Sequence, residues 1–326
     1  MTNIESNDLE ELARVCFPYA ARRTEEMKAN GNRFVYYTTA EVAMHILRNQ
    51  QIWLRNALLM NDFSEISHGF ACLNAAYNGP SGTVLKAALA SCFPDLPREV
   101  EDMFNALLPN VRGDTYLTCF SEHCLDEDRR GRLSMWRAYG GATGVAVVIN
   151  GAVMHGDSTA LGALSSPVYY ADSEAFAKDF MEVASGIRAA TPLLKRVGKD
   201  AVRSTVFQML RFAALCTKHP GFQEELEWRV IASPTIYSTP RLSTSIEVIQ
   251  GVPQQVVKIK LESAPDEGLV GLGLRELLDR IIIGPCEFPQ MTAAAFYKVL
   301  VDLGFDDAQD RVVVADIPLR HRTQRR

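Results

Sequence analysis

Apolar positions along this chain change period repeatedly, and each change marks an element. Leu9, Leu12, Ala13, Cys16, Phe17 and Ala20 recur at helical spacing, so residues 7–29 read as one amphipathic helix that Gly31 ends. RFVYYTT then predicts a strand, Thr38 or Thr39 offers a cap for the helix AEVAMHILRNQ, and IWLRN predicts a second strand. Asn61 or Asp62 supplies the cap of a helix reaching about Tyr77, with Ser64 and Glu65 in its first turn. Residues 82–108 look helical, interrupted by Pro94 and Pro97. DTYLTCFSE reads as a strand, EDRRGR as a charged loop, SMWRAYG as a short helix and GVAVVIN as a strong strand.

Helical patterns resume in EAFAKDFMEVASGI and AVRSTVFQMLRFAALC, and EELEWRVIA returns to strand period. A Pro/Ser/Thr-rich loop follows, then QVVKIKL, a helix LRELLD, the run RIIIG, a helix TAAAFYKVLVDLG and a last strand RVVVAD. Strands and helices in this irregular order predict an α+β fold, with small mixed or antiparallel sheets and helical insertions, rather than a doubly wound sheet. Residues 1–30 are expected to form an accessory helix, and residues 31–326 a single α+β domain with helical insertions near 80–110 and 172–217.

A chain of 326 residues, 47% hydrophobic, can bury a sizeable core. Its net charge of −5 supplies no global field for nucleic acid. The terminal LRHRTQRR is the one dense basic run, read as a solvated terminus. Seven cysteines lie scattered without a C-x-x-C pair, which suits buried reduced thiols; Cys119, His123 and Cys124 form one short cluster with no second pair to close a zinc site, so no metal is expected. No apolar stretch reaches the roughly 20 residues of a membrane span, and the expected location is the cytoplasm. Walker, zincin and nucleophile-elbow motifs are missing, and Gly271-Leu-Gly-Leu lacks the third glycine and the preceding strand of a dinucleotide fingerprint.

What remains is polar chemistry flanked by aromatics. Y-Y-T-T, N-D-F-S-E, C-F-S-E with S-M-W-R-A-Y, and E-L-E-W-R each place a hydroxyl, amide or carboxylate at a strand end or helix start, where clefts are lined. In EELEWRVIA, alternation puts Glu225, Glu227 and Arg229 on one face and Leu226, Trp228 and Val230 on the other. Paired carboxylates there suit a sugar hydroxyl or a developing cation; the plainer alternative is an edge strand with a solvated Glu/Arg face. Trp136 and Tyr139, three apart on a helix, can stack a flat ring or pack a core.

Over most of its length the chain resembles an uncharacterised bacterial family, a domain of unknown function whose members carry Y-T, N-D-x-x-E, C-F-S-E, S-M-W-x-x-Y and E-x-E-W-R in this order. It is also similar, at the level of strand pattern, to NAD-dependent ADP-ribosyltransferases, especially DNA-modifying toxins of toxin–antitoxin pairs. Tyr37-Thr38-Thr39 stands where that family has His-x-Thr, TCFSEHCLDEDRRGRLSMW resembles its middle strand, and Glu227 before Trp228 stands where its catalytic glutamate opens a late strand. The resemblance implies an ADP-ribosyltransferase-like cleft, NAD as substrate, and a carboxylate that stabilises the oxocarbenium-like transition state. Glu227 takes that role and Glu225 positions or deprotonates the acceptor. Tyr37 and Thr39 bind the adenosine or nicotinamide end, Ser121 or Ser134 holds a ribose or amide, Trp136 or Tyr139 stacks on nicotinamide, and Arg55 or Arg229 meets the pyrophosphate. Asn61 joins this cofactor-binding set. The acceptor is a nucleic acid or a protein, and an antitoxin or immunity partner is implied as an option. Two other classes compete: a ligand-sensing module that keeps the cleft without chemistry, favoured by tyrosine in the histidine position, and a Mg²⁺-dependent nuclease using Asp62, Glu65 and Glu225.

Overall fold

The computed structural model describes residues 6–60, 63–156 and 158–317. In chain order these form α1 (Ser6–Cys16), α2 (Pro18–Ala29), β1 (Arg33–Thr39), α3 (Ala40–Asn49), β2 (Gln51–Asn56), α4 (Phe63–Tyr77), α5 (Pro80–Cys92), α6 (Leu96–Gly113), β3 (Tyr116–Glu122), α7 (Leu133–Tyr139) and β4 (Thr143–Asn150). There follow β5 (Ala163–Pro167), β6 (Tyr169–Tyr170), α8 (Ser173–Ala189), α9 (Thr191–Val197), α10 (Lys199–Leu215), β7 (Thr217–Lys218), β8 (Glu227–Ala232), β9 (Leu242–Ile249) and β10 (Val252–Lys260). The chain closes with α11 (Leu274–Leu277), β11 (Leu278–Cys286), α12 (Pro289–Asp302), α13 (Ala308–Arg311) and β12 (Val312–Val314). The fold is α+β, as the element order predicts.

Contacts divide the chain into two compact units. One comprises Met1–Glu25, Asn56–Thr115 and Ser166–Gln223; the other Glu26–Arg55, Tyr116–Ser165 and Glu224–Arg326. The first is helical, built around buried Leu12, Leu85, Leu89, Phe176, Leu194 and Val206. Proline shapes it. The helix expected over 7–29 is two helices, because Pro18 cannot donate a backbone hydrogen bond and starts α2 afresh. Pro94 lies between α5 and α6, while Pro97 sits in the first turn of α6, where its missing N–H is harmless. The caps expected at Asn61 or Asp62 lie outside the described residues, as does the basic run from residue 319.

The second unit holds a ten-stranded mixed sheet in the order β12-β11-β4-β1-β3-β2-β10-β9, with β8 paired to β3 and β5. β1 and β4 run antiparallel through seven register pairs, and β11 joins β4 antiparallel and β12 parallel. One face buries Phe34, Val145, Val147, Ile281 and Ile283, over which α3 and α12 pack. Thr39 ends β1 and caps α3, its hydroxyl accepting from the Val42 N–H at 3.4 Å. The Pro/Ser/Thr-rich loop of the sequence reading contains the strand β9, whose residues pair with β10 from Leu242 to Ile249. LRELLD is helical only to Leu277, and Leu278 already opens β11.

His155 carries a pH signature. It sits against the rings of Phe34 and Trp228, with Nε2 2.8 Å from Asn32 Oδ1. Burial, reinforced by the charge of Lys28, lowers its pKa from 6.5 to about 4. The unfolded chain therefore takes up this proton first as pH falls. Stability held above pH 6.5 drains away between 6.5 and about 4. Urea unfolding across that range should show a shallower decline in His155→Phe than in the wild type.

Candidate functional site

The register of three strands assembles the site. Val35 of β1 faces Ser121 of β3, and Ser121 faces Glu227 of β8, so these three share one side of the sheet. Alternation adds Tyr37 on β1 and Arg229, opposite Cys119, on β8. With strands about 4.8 Å apart, Ser121 and Glu227 are lateral neighbours. This is the face opposite α3 and α12. Over β1, β4 and β11 it is covered by α7, through Met135 and Trp136 against Val35, Tyr37, Ala146, Val148 and Ile282.

Glu227 and Arg229 form a buried ion pair: Nε donates to Oε1 at 2.7 Å, with side chains only 6% and 2% exposed. Glu225 does not share their strand. It ends a 3₁₀ turn over Pro220–Glu225, and Leu226 between the two glutamates adopts φ 44°, a left-handed conformation that disfavours a branched side chain. The Leu226 carbonyl is held by the Glu122 N–H at 2.9 Å. That kink turns Glu225 out of the alternation, so the expectation of two carboxylates on one strand face is corrected. Glu225 Oε1 instead accepts the Tyr139 hydroxyl at 3.0 Å.

Trp136 is closed to ligands. It is 1% exposed, packs edge-on to Tyr37, and its indole N–H donates to the Arg130 carbonyl at 2.6 Å. Cβ atoms placed at Gly131 (φ 64°) or Gly284 would come within 2.9 or 2.7 Å of its ring. The expected stacking on nicotinamide therefore fails for Trp136, because glycines bring backbone onto the ring. Tyr37 is likewise buried; its hydroxyl accepts the Arg132 N–H at 2.7 Å, and burial holds its pKa above the usual tyrosine range.

Arg55 does not reach this face. It sits near Tyr36, on the other side of β1, and donates to Gln254 Oε1 at 3.2 Å. Thr39 is occupied as the α3 cap, and Ser134 is half-buried on α7. Asn61 and Asp62 lie outside the described residues. The structure thus gathers Tyr37, Ser121, Glu225, Glu227, Arg229, Trp136 and Tyr139, and leaves Arg55 elsewhere.

Residues outside the expected set tie this constellation together. Arg132 donates Nε and Nη2 to the two Glu127 carboxylate oxygens at 2.8 and 3.1 Å, Nη2 to the Glu122 carbonyl at 3.0 Å and Nη1 to the Glu224 carbonyl at 2.9 Å. One guanidinium therefore joins the C-F-S-E strand end, the charged loop and the turn carrying Glu225. Glu122 accepts the Trp228 indole N–H at 2.9 Å, linking C-F-S-E to E-L-E-W-R. Behind it, buried His123 reaches Asp128 at 2.8 Å, and Arg33 bridges Asp128 and Asp279 at 2.9 and 3.1 Å. Burial lowers the pKa of His123 despite the Asp128 contact. Only the opposite charges of Glu127 and Arg132 within one loop signalled this in sequence.

Among the described residues no group of three or more His, Cys, Asp or Glu is placed to hold a metal ion, and no helix is long and apolar enough to cross a membrane. All seven cysteines are free; four are buried, while Cys119 and Cys286 are partly exposed and Cys124 is exposed. Residues 135–230 match a family described as a protein of unknown function (DUF2971), a span that opens inside α7 and closes inside β8. Neither a curated protein nor a solved structure matches the chain.

Proposed function

We propose that the chain is an NAD-consuming ADP-ribosyltransferase or NAD glycohydrolase of the toxin or defence type, with Glu227 as its central catalytic residue. The observation that carries this reading is the fixed carboxylate of Glu227 at the entrance of β8, beside Ser121 and held at 2.7 Å by Arg229. A carboxylate oriented before substrate arrives stabilises developing positive charge without reorganising. In the reaction, the bond between nicotinamide N1 and ribose C1′ breaks and its electron pair stays on nicotinamide, which leaves neutral. Glu227 accepts the ribose 2′-hydroxyl hydrogen bond as charge grows on the sugar. An acceptor atom, or water, then bonds to C1′ and releases a proton, for which Glu225, steadied by Tyr139, is the proposed base. Ser121 and Glu227 are both buried, so on this reading the cover over their face opens to admit NAD; Ser121 then holds the ribose, and the acceptor is a nucleic acid or a protein.

A second reading has its own support. Trp136 and Tyr37 are sealed and Glu227 is paired, which suits a module that binds a ligand without turning it over. Incubation of the full chain with NAD separates the two: free nicotinamide accumulating with time supports the enzyme. Saturable NAD binding by calorimetry with no nicotinamide released supports the sensor and removes the enzymatic reading.

A further inference from the structure

We propose that the groove between α4 and α6 in the helical unit is a docking site for an amphipathic helix of a partner protein, seated antiparallel to α6. Helices α4 and α6 each pack on α10, and the space between them is a groove of about 610 Å³ with Leu210 of α10 at its base. Phe70 lines it from α4. From α6, Glu101, Phe104, Leu108 and Arg112 recur at helical spacing along its wall. The groove is therefore shaped as a bundle lacking one helix: a trough with helical walls on both sides, apolar at Phe70, Phe104, Leu108 and Leu210 and polar at Ser67, Asn74, Asn78 and Asn105.

Its ends carry opposite charges. Glu101 and Arg112 are eleven positions apart on one helix face, which spans about 16 Å, or three turns. Arg112 is held over the Phe70 ring at 4.8 Å, and neither it nor Glu101 makes an ion pair among the described residues. Helices favour acids in their first turn and bases in their last. Such a helix laid antiparallel to α6 brings its acidic start to Arg112 and its basic end to Glu101, with its apolar stripe on Phe70, Phe104 and Leu108. Laid parallel, it sets like charges together at both ends. A small apolar ligand leaves both charges unused, and a second copy presenting the same hollow offers no ridge to fill it.

The test uses the full chain and a fluorescent designed helical peptide of about 14 residues, with leucines along one face, glutamates in the first turn and lysines in the last. Anisotropy should rise saturably. Replacing the peptide's glutamates by lysines should weaken binding about fivefold, and Arg112→Glu should reverse that order, preferring the all-lysine peptide. Ala71→Trp, at an exposed position in the groove wall, should remove binding of both peptides. The proposal is overturned if neither peptide binds the wild type, if Arg112→Glu leaves the preference unchanged, or if binding survives Ala71→Trp. Concentration-dependent self-association abolished by Ala71→Trp, without peptide binding, assigns the groove to a second copy and overturns it equally.

Discussion

Glu227→Gln is expected to lower nicotinamide release by about 10² to 10³ while the chain still folds. Glutamine has the shape of glutamate, and its carbonyl can still accept the Arg229 Nε hydrogen bond that Glu227 Oε1 accepts at 2.7 Å. What is lost is the negative charge, which on the proposed reading acts on the oxocarbenium-like ribose and which also balances buried Arg229, so the variant is less stable as well as less active. The variant should therefore depress kcat more than KM, because the interaction strengthens only in the transition state. Circular dichroism and a thermal melt, with assays run well below the melting transition, keep loss of chemistry distinct from loss of fold. Full activity in a folded Glu227→Gln protein removes Glu227 from the catalytic role.

Arg229→Met is expected to have the largest effect on stability, about 3–5 kcal/mol, because it leaves a buried carboxylate without its cation. Arg229 is 2% exposed and Glu227 6%, so little water can take over. The pair as a whole is another matter. Replacing both partners by apolar side chains, as in Glu227→Leu with Arg229→Met, removes both buried charges, and much of the lost stability should return. Nicotinamide release should not return with it. Denaturant unfolding of the two single variants and the double variant measures the coupling; a double variant as unstable as the sum of the singles contradicts a buried pair.

The sheet face was legible because strand alternation is a strong constraint. Tyr37, Ser121, Glu227 and Arg229 sit where a period of two puts them once their strands pair. The α+β order was legible too, since no repeating βα unit runs through the sequence. Glu225 escaped the pattern because nothing in ELEW announces that Leu226 takes φ 44°. Burial of Trp136 is not legible in sequence because a Trp/Tyr pair at helical spacing looks the same exposed or buried; distant Gly284 closes it, and that contact is set by tertiary packing. Arg132 looked like one of several arginines in a solvated loop, and only folding aims it at Glu127 and the carbonyls of Glu122 and Glu224. β9 read as a loop because Ser243, Thr244 and Ser245 continue the Pro/Ser/Thr-rich run before it, yet pairing with β10 decides its conformation. The two interleaved units were invisible as boundaries because the chain passes between them inside regular elements such as α2 and β5 and at strand ends, with no linker to mark the crossing.

The most direct test of the site is a crystal structure of the full chain soaked with NAD, or of Glu227→Gln if the wild type consumes it. The nicotinamide ribose is expected within hydrogen-bond distance of the side chain at position 227 and of Ser121, with Glu225 and Tyr139 toward the acceptor side. Dinucleotide bound elsewhere, with the Glu227–Arg229 pair untouched, would contradict it.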